Sequence, residues 1–269
     1  MRLEDVRAFV LDIDGTLVHR AGAEVRVQPG AFDVLSKIRA SGRRLVLFTN
    51  GSHAGPEVFA AGLRAAGLPV ADDELLTPLC SIQTYLRTRR HDGSVLLFGT
   101  EAAREYLVRA GVRILAGEDE SGIAAVFVAH PAVADFDELE RAARAVLRGA
   151  RLLTGSYAPA YAGANGPIFS RGAMLTAAIA KATGARPVVV GKPSRAALQT
   201  ASDHLGVPPE ELAVIGDDIG MDIALGRLGG ARTILVRTGI SSDVALDDVS
   251  ERHRPDAVVG SIAELLNWL

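Results

Sequence analysis

The sequence has one cysteine, few aromatic residues and little net charge. Because Cys80 has no second cysteine to pair with, no disulfide bond can form within the chain. The formal net charge is -3, and Lys and Arg are scattered along the chain instead of clustered. The sequence therefore lacks the basic patch by which nucleic-acid-binding proteins attract the phosphate backbone.

Long apolar segments are missing as well. No run approaches the roughly 18 residues that a transmembrane helix requires. Residues 1–7 carry several charges and lead directly into the first apolar run, which leaves no room for a signal peptide. These absences favour a cytoplasmic protein without a membrane or nucleic-acid partner.

The chain does contain the material for a large core, with 48% hydrophobic residues and 28 glycines among 269 positions. Short apolar runs alternate with longer segments of helical periodicity. The runs are Ala8–Leu11, Leu45–Phe48, Val95–Phe98, Ala124–Val128, Val188–Val190, Ala213–Ile215, Thr233–Val236 and Ala257–Val259. The helical segments are Gly30–Ala40, Glu57–Ala66, Glu101–Ala110, Phe136–Leu147, Ala173–Thr183 and Arg195–Leu205. This alternation predicts an α/β fold, a doubly wound, Rossmann-like parallel sheet with helices on both faces.

Two prolines mark places where the chain changes direction. They occur in Leu76-Thr77-Pro78 and in Ala185-Arg186-Pro187, each beside the end of an element. The residues between them contain strands and helices of their own. We therefore predict a core domain formed by residues 1–77 and 188–269, with an inserted α/β cap domain at residues 78–187. One continuous sheet is the alternative.

The most informative motif is Leu11-Asp12-Ile13-Asp14-Gly15-Thr16-Leu17, which directly follows an apolar run. Residues two apart in a strand point to the same face, so Asp12 and Asp14 should lie side by side. Gly15 lets the chain turn sharply after them. Two adjacent carboxylates repel each other unless a cation or a shared proton lies between them. The motif therefore indicates a metal site, an acid/base pair, or both.

Three further strand ends carry polar residues. They are Thr49-Asn50-Gly51, Lys192 between Gly191 and Pro193, and the acidic group Asp217, Asp218 and Asp222. In a doubly wound sheet the carboxyl ends of parallel strands open on one edge, where ligands bind. Several carboxylates would meet there with the ammonium group of Lys192. Oxygen ligands of this kind suit Mg²⁺, while a lysine, a threonine and free backbone N–H groups suit a phosphate.

In combination, these motifs resemble those of the haloacid dehalogenase (HAD) superfamily. The matching segments are Asp12-Ile13-Asp14-Gly15-Thr16, Thr49-Asn50, Lys192, and Gly216-Asp217-Asp218 with Asp222. Thr49 follows Asp12 by only 37 residues, whereas Lys192 follows Thr49 by 143. A long insert at that second place is typical of the NagD-like class IIA phosphatases, which include 4-nitrophenylphosphatase, phosphoglycolate phosphatase and pyridoxal phosphatase. The resemblance covers essentially the whole chain.

The resemblance implies a catalytic role for both Asp12 and Asp14. Asp12 would be the nucleophile that accepts the phosphoryl group and forms an aspartyl-phosphate. Asp14 would protonate the leaving oxygen and then deprotonate the attacking water. Asp12, the backbone carbonyl of Asp14, and Asp217 would hold Mg²⁺.

The same resemblance implies supporting roles for the other motifs. Thr49, with backbone groups of Asn50 and Gly51, would bind the phosphoryl oxygens. Lys192 would neutralise charge on the nucleophile and the phosphate. Behind them, two further carboxylates would orient Lys192 or metal-bound water. These two are Asp218 and Asp222.

Asp14 also separates activities within the superfamily. Members that remove halide lack this second aspartate, and ion-pumping ATPases have threonine in its place. Mutases carry a small cap between the first two motifs, for which 37 residues leave little room. The sequence therefore predicts a Mg²⁺-dependent phosphatase that hydrolyses a small phosphorylated metabolite. A phosphotransferase to an organic acceptor and a catalytically silent regulatory protein are the alternatives, and a homodimer is compatible with the family.

One segment departs from the family pattern. NagD-like proteins usually carry Thr-Asn-x-Asp in the cap near the substrate, but this chain reads Leu153-Thr154-Gly155-Ser156-Tyr157-Ala158. The usual argument from the cap to the substrate is therefore unsafe here, and the substrate stays open. Candidates for contact with the leaving group are Tyr157, Tyr161, Asn165 and Arg171. His53, which follows the phosphate loop, is a further candidate.

Overall fold

The computed structural model of the chain describes residues 3–21, 24–117, 121–131, 133–163 and 166–269. The strands within these residues are β1 (Ala8–Leu11), β2 (Val18–Ala21), β3 (Glu24–Val27), β4 (Arg44–Phe48), β5 (Leu75–Leu76), β6 (Ser94–Phe98), β7 (Ile123–Val128), β8 (Arg151–Thr154), β9 (Ala160–Gly163), β10 (Gly166–Phe169), β11 (Val188–Val189), β12 (Leu212–Gly216), β13 (Arg232–Val236) and β14 (Ala257–Val259).

The α-helices in the same part of the chain are α1 (Ala31–Ala40), α2 (Pro56–Ala65), α3 (Pro78–Arg89), α4 (Glu101–Arg109), α5 (Phe136–Leu147), α6 (Arg171–Thr183), α7 (Arg195–Leu205) and α8 (Ala224–Arg227). Short 3₁₀ segments cover Asp72–Glu74, Pro209–Glu211, Leu246–Asp248, Glu251–His253 and Ile262–Asn267, and Ile219–Ile223 form a π-helical turn. None of these helices combines the length and the apolar character that a membrane span needs.

Six strands form one parallel sheet in the order β14-β13-β12-β1-β4-β5. The alternating side chains of β1 explain why it lies at the centre. Phe9 and Leu11 join one buried apolar cluster with helix α1, whereas Ala8 and Val10 join another with helix α7. Because both faces are buried, the strand reads as a continuous apolar run, and the predicted doubly wound sheet is confirmed.

The second sheet is also parallel, with the order β11-β8-β7-β6. Its strands are inserted in the sequence between β5 and β12 of the first sheet, as expected for a cap. Phe127 packs with α3 and α4 on one face, and Val126 packs with α5 and α6 on the other. The sheet extends past the predicted boundary at residue 187, because β11 pairs with β8. The division into core and cap domains is our proposal, with β11 assigned to the cap sheet.

Polar residues at the helix starts explain where several helices begin. Each of α3 to α7 follows a Thr, Ser or Asp whose side chain accepts a backbone N–H of the first turn. These residues are Thr77, Thr100, Asp135, Ser170 and Ser194. The caps fix how the chain leaves one strand and returns for the next.

The carboxyl edges of the two sheets meet. The Oγ1 hydroxyl of Thr100, which lies after β6, donates a hydrogen bond to the carbonyl oxygen of His53. Gly155, just after β8, lies against the loop that follows β4, since a Cβ added to Gly155 would lie 3.2 Å from Ser52 Oγ. Residues that follow β1, β4 and β12 therefore face residues that follow the strands of the second sheet. Any ligand at the edge of the core sheet lies between the two.

We expect the two cores to contribute similarly to stability. Phe9 and Phe127 are both fully buried, so Phe9→Ala and Phe127→Ala should each lower the free energy of unfolding by about 3–5 kcal/mol. Phe136, with 83% of its surface exposed, is the matched control, and Phe136→Ala should change it by no more than about 0.5 kcal/mol. Chemical denaturation measures the free energy of unfolding of all three variants. A decrease of less than about 1 kcal/mol at either buried position would contradict the packing.

Candidate active site

Asp12 prolongs the central strand β1 by one residue. Its backbone N–H donates to the carbonyl oxygen of Ile215 at 2.8 Å, which continues the ladder with β12. Its side chain is 12% exposed, and Oδ1 accepts a hydrogen bond from Lys192 Nζ at 2.6 Å. Oδ2 is buried and accepts no hydrogen bond from the described residues. A buried carboxylate oxygen without a donor is rare and indicates a position for a ligand.

Lys192 is the buried cation of the site, with 3% of its side chain exposed. Its Nζ donates to Asp12 Oδ1 and to Asp222 Oδ1, at 2.6 Å each. Burial alone would lower the pKa of this lysine, but the two carboxylates outweigh burial and raise the pKa above its usual value. Lys192 is therefore positively charged at neutral pH.

Asn50 holds the backbone of Lys192 in place. Asn50 Nδ2 donates to the carbonyl oxygen of Lys192 at 2.8 Å, and Lys192 N–H donates to Asn50 Oδ1 at 2.7 Å. Gly191 permits this approach, because an added Cβ would lie 2.2 Å from the carbonyl oxygen of Gly155 and 2.6 Å from Asn50 Oδ1. The sequence motif predicted a role only for the backbone of Asn50, and the side-chain contact with Lys192 was not predicted.

Thr49 begins the turn after β4, which neighbours β1 in the sheet. The side chain is buried, and its Oγ1 accepts the backbone N–H of Gly51 at 3.0 Å. Thr49 N–H donates to the carbonyl oxygen of Leu76 at 3.2 Å, which ties the turn to β5. Thr49 and Gly51 thus lie on the same sheet edge as Asp12.

Asp217 follows β12, on the other side of β1, and is almost completely buried. Its Oδ2 accepts the backbone N–H of Ile240 at 2.7 Å. Two glycines make room for the carboxylate, since a Cβ added to Gly239 or Gly15 would lie 1.8 Å or 2.5 Å from Oδ2. Burial, followed by the negative charge of Asp12, raises the pKa of Asp217 to about 7, although the Ile240 N–H acts in the opposite direction.

Asp222 is buried behind Lys192. Its Oδ1 contacts Lys192 Nζ, and its Oδ2 accepts the backbone N–H of Asp218 at 3.1 Å. Burial raises the pKa of Asp222 well above its usual value, and Asp12 and Asp217 add to this effect while Lys192 opposes it. Both oxygens of Asp222 are therefore already engaged within the protein.

Asp218 has a different role from Asp222. Its Oδ1 accepts the backbone N–H groups of Gly220 at 2.7 Å and of Met221 at 3.2 Å. It therefore caps the π-helical turn that carries Asp222. In the described part of the chain its side chain makes no hydrogen bond to Lys192.

Three carboxylates form a group that can hold a cation. Oxygen atoms of Asp12, Asp217 and Asp222 lie within 4.8 Å of one another, and no other such group occurs in the described ranges. Each oxygen of Asp222 accepts a hydrogen bond. Among the described residues, by contrast, Asp12 Oδ2 has no donor, and the side-chain contact of Asp217 Oδ1 is with Thr16 Oγ1 at 3.4 Å. Three acidic groups around one lysine leave excess negative charge. This donor set fits a hard divalent cation such as Mg²⁺.

Asp14 lies at the open side of the site, and 45% of its side chain is exposed. Its Oδ1 is hydrogen-bonded and ion-paired with Arg20 Nε, from the β2–β3 hairpin. Burial raises the pKa of Asp14, the charge of Arg20 opposes that rise, and the charge of Asp12 adds to it. Arg20 is a site residue that the motifs of the sequence did not predict.

The structure describes the positions of three of the four residues predicted to contact the leaving group. Tyr157, which is 41% exposed, follows Gly155, whose carbonyl oxygen contacts the Lys192 loop. Arg171 is exposed at the start of α6. Tyr161 belongs to strand β9, and Asn165 lies outside the described residues. Contact of any of these residues with a leaving group stays a prediction.

Two family models match the chain. One, described as haloacid dehalogenase-like hydrolase, matches residues 9–113, and one described as HAD-hydrolase-like matches residues 189–265. The ribonucleotide monophosphatase NagD of Escherichia coli strain K12 is 31% identical over 266 residues, which cover 97% of this chain and 98% of NagD. The chain belongs to the NagD-like phosphatases of the haloacid dehalogenase superfamily. It is accordingly a hydrolase of phosphoric monoesters, and the family predicted from the motifs is confirmed.

Two further comparisons agree with this assignment. The glycerol-3-phosphate phosphatase of Mus musculus is 30% identical, and the match covers 98% of this NagD-like phosphatase and 91% of the relative. The solved structure of p-nitrophenyl phosphatase from Archaeoglobus fulgidus superposes with a TM-score of 0.85 at 30% identity, covering 98% and 100% of the two chains. The similarity therefore includes both sheets.

We expect Asn50 to act by positioning Lys192. Asn50→Asp replaces the Nδ2 donor with an acceptor that faces the carbonyl oxygen of Lys192, so the lysine should shift. A misplacement of about 1 Å can lower a rate by about 10²-fold, and we expect a loss of that size in kcat for 4-nitrophenyl phosphate. The exposed Asn267 gives the matched control, Asn267→Asp, which should keep the wild-type kcat. A near-normal kcat in Asn50→Asp would refute the positioning role.

Proposed function

We propose that this NagD-like phosphatase is a Mg²⁺-dependent enzyme that hydrolyses a small phosphorylated metabolite through an aspartyl-phosphate on Asp12. The observation that carries the proposal is the environment of Asp12. One of its oxygens is fixed by the buried Lys192, and the other lies without a donor in the carboxylate group. A carboxylate held in this way is oriented for attack and partly neutralised.

In the first step, Asp12 Oδ1 attacks the phosphorus atom, and the bond from phosphorus to the alcohol oxygen breaks. The departing alcohol oxygen takes a proton from the carboxyl group of Asp14. The raised pKa of Asp14, caused by burial and opposed by Arg20, supports its use as a proton donor. The products of this step are the free alcohol, the aspartyl-phosphate and an ionised Asp14.

In the second step, Asp14 takes a proton from a water molecule, whose oxygen attacks the phosphorus atom. The bond between phosphorus and Asp12 breaks, phosphate is released, and the two carboxyl groups return to their starting state. Lys192, the Thr49 hydroxyl and backbone groups of Asn50 and Gly51 are proposed to stabilise the negative charge on the phosphoryl oxygens. Catalysis of this kind depends mostly on positioning and electrostatics.

Members of the superfamily generally use a divalent metal ion, typically Mg²⁺. We propose that Asp12, the backbone carbonyl of Asp14, and Asp217 hold it here. When bound, the ion would neutralise charge on the phosphoryl group and on the carboxylates. Asp222 is assigned instead to Lys192, because both of its oxygens already accept hydrogen bonds.

The proposed substrate class is a small phosphomonoester. Three relatives are named for ribonucleotide monophosphates, glycerol 3-phosphate and 4-nitrophenyl phosphate, all of which are small molecules. The second sheet also faces the strand ends of the core, through the hydrogen bond from the Thr100 hydroxyl, after β6, to the carbonyl oxygen of His53, after β4. We therefore propose that the second sheet keeps proteins and large polymers away from Asp12.

Asp12→Asn should abolish hydrolysis of 4-nitrophenyl phosphate, because an amide is a much poorer nucleophile than a carboxylate. We expect a loss of at least about 10⁴-fold in kcat, as seen when a residue of a catalytic unit is removed. The exposed Asp73 supplies the matched control, Asp73→Asn, which should retain full activity. Circular dichroism checks that both variants are folded. Substantial turnover by folded Asp12→Asn would refute the assignment of the nucleophile.

Mg²⁺ should raise the melting temperature more at pH 8 than at pH 5. Asp217 has a folded pKa of about 7 against an ordinary value of 3.8, so in this window the folded state keeps a proton that the unfolded state has lost. Without metal, stability contributed by Asp217 therefore falls as the pH rises through the window, and Mg²⁺ reverses the loss by binding the ionised form.

Differential scanning fluorimetry with and without MgCl₂ measures this effect. Asp217→Asn should lose the Mg²⁺-induced rise in melting temperature at pH 8, while Asp73→Asn should keep it. An equal rise at both pH values, or an undiminished rise in Asp217→Asn, would contradict the proposed metal ligands. The readout does not require catalytic activity.

A further inference from the structure

Several basic side chains at the meeting edges of the two sheets are not used by the mechanism proposed above. His53 lies three residues after Asn50, in the loop that follows β4. His130 lies after β7 of the second sheet, and Arg20 lies in the β2–β3 hairpin. The three residues come from different segments of the chain, and each is at least partly exposed.

His53 and His130 face each other between the core sheet and the second sheet. Their ring centroids are 5.8 Å apart in an edge-on arrangement. The centroid of the His53 ring also lies 4.6 Å from that of Phe59. The backbone carbonyl oxygen of His53 accepts a hydrogen bond from the hydroxyl group of Thr100. These contacts hold the two imidazoles at the boundary between the two sheets.

Arg20 brings a permanent charge to the same region. Its Nε contacts Asp14, the proposed proton donor to the alcohol oxygen. The hydrogen bonds within the described ranges leave its two Nη groups able to donate to a ligand. The pKa of His53 lies below its ordinary value, first because of burial and then because His130 and Arg20 place positive charge near it.

Arg171 adds to the positive potential. Helix α6 begins beside His130, since a Cβ added to Gly172 would lie 2.9 Å from the carbonyl oxygen of Ala129. The pKa of His130 is lowered by burial and then by the charge of Arg171. An anion beside these groups would favour the protonated imidazoles and could accept hydrogen bonds from them and from Arg20.

We propose that Arg20, His53 and His130 form a subsite for a second anionic group, carried by the alcohol part of the substrate. The preferred substrates are then phosphomonoesters whose alcohol also bears a carboxylate or a second phosphate. Arg20 links this subsite to the reaction, because it contacts the residue that protonates the leaving oxygen. The inference rests on the proposed function, since it assumes that the alcohol leaves beside Asp14.

Matched substrates test the subsite. 2-Phosphoglycolate and 2-hydroxyethyl phosphate are similar in size but differ in the charge of the alcohol part, and ethylene glycol bisphosphate tests a second phosphate. We expect the wild-type enzyme to show kcat/KM values about 10- to 100-fold higher for at least one anionic substrate than for 2-hydroxyethyl phosphate, as one or two charge-assisted hydrogen bonds would give. The carboxylate and phosphate arms show which anion the subsite prefers.

Two variants and a control assign that preference to the proposed residues. His130→Gln and His53→Gln should each lower the ratio of anionic to neutral kcat/KM by about tenfold, the loss of one such bond. His91→Gln should leave the ratio unchanged, because His91 precedes β6 and so lies at the opposite, amino edge of the second sheet.

The outcomes separate the two proposals. If 2-hydroxyethyl phosphate and 4-nitrophenyl phosphate are hydrolysed but the anionic substrates show no preference, the subsite is refuted while the proposed function stands. A preference that both glutamine variants retain also refutes the subsite. If no substrate is hydrolysed in a way that depends on Asp12, the proposed function and the subsite fall together.

Discussion

The site depends on one buried lysine shared by two aspartates. Lys192 is almost inaccessible to water, so its charge is tolerated only because Asp12 and Asp222 each accept a hydrogen bond from Nζ. These residues come from the end of β1, the loop after β11 and the turn after β12. Asn50, from the end of β4, fixes the backbone of the lysine across 142 positions of sequence. The order β12-β1-β4 at the centre of the sheet brings the strand ends that carry these residues next to one another.

Lys192 leaves part of the negative charge of the site unneutralised, and this excess charge favours the binding of a cation. One ammonium group neutralises only part of the charge of Asp12, Asp217 and Asp222, whose oxygen atoms lie within 4.8 Å of one another. Gly15 and Gly239 leave the space in which the Asp217 carboxylate lies. The raised pKa of Asp217 is the cost of this crowding without a metal ion. A divalent cation would reduce the repulsion between the carboxylates. A phosphoryl group would then bind to a site whose charged groups are already in position.

Much of this arrangement could be predicted from local sequence. The structure has the helices predicted at Phe136–Leu147 and Arg195–Leu205, and the strand at Ala8–Leu11, with the predicted bounds. Strands buried on both faces and helices with an apolar stripe carry strong local signals. The β2–β3 hairpin was missed because its apolar residues alternate with polar ones and form no continuous apolar run, and Arg20 was missed with it. The contacts of Asn50 with Lys192 and of β11 with β8 join distant segments, and no local pattern specifies them.

The central claim is that the phosphoryl group is transferred to Asp12. The most direct test is to mix the enzyme rapidly with a ³²P-labelled phosphomonoester substrate, quench with acid within the first turnover, and map the labelled peptide. The account predicts label on the peptide that contains Asp12, and none in Asp12→Asn. Product formation in the first turnover with no labelled protein, or label confined to a peptide without Asp12, would contradict it.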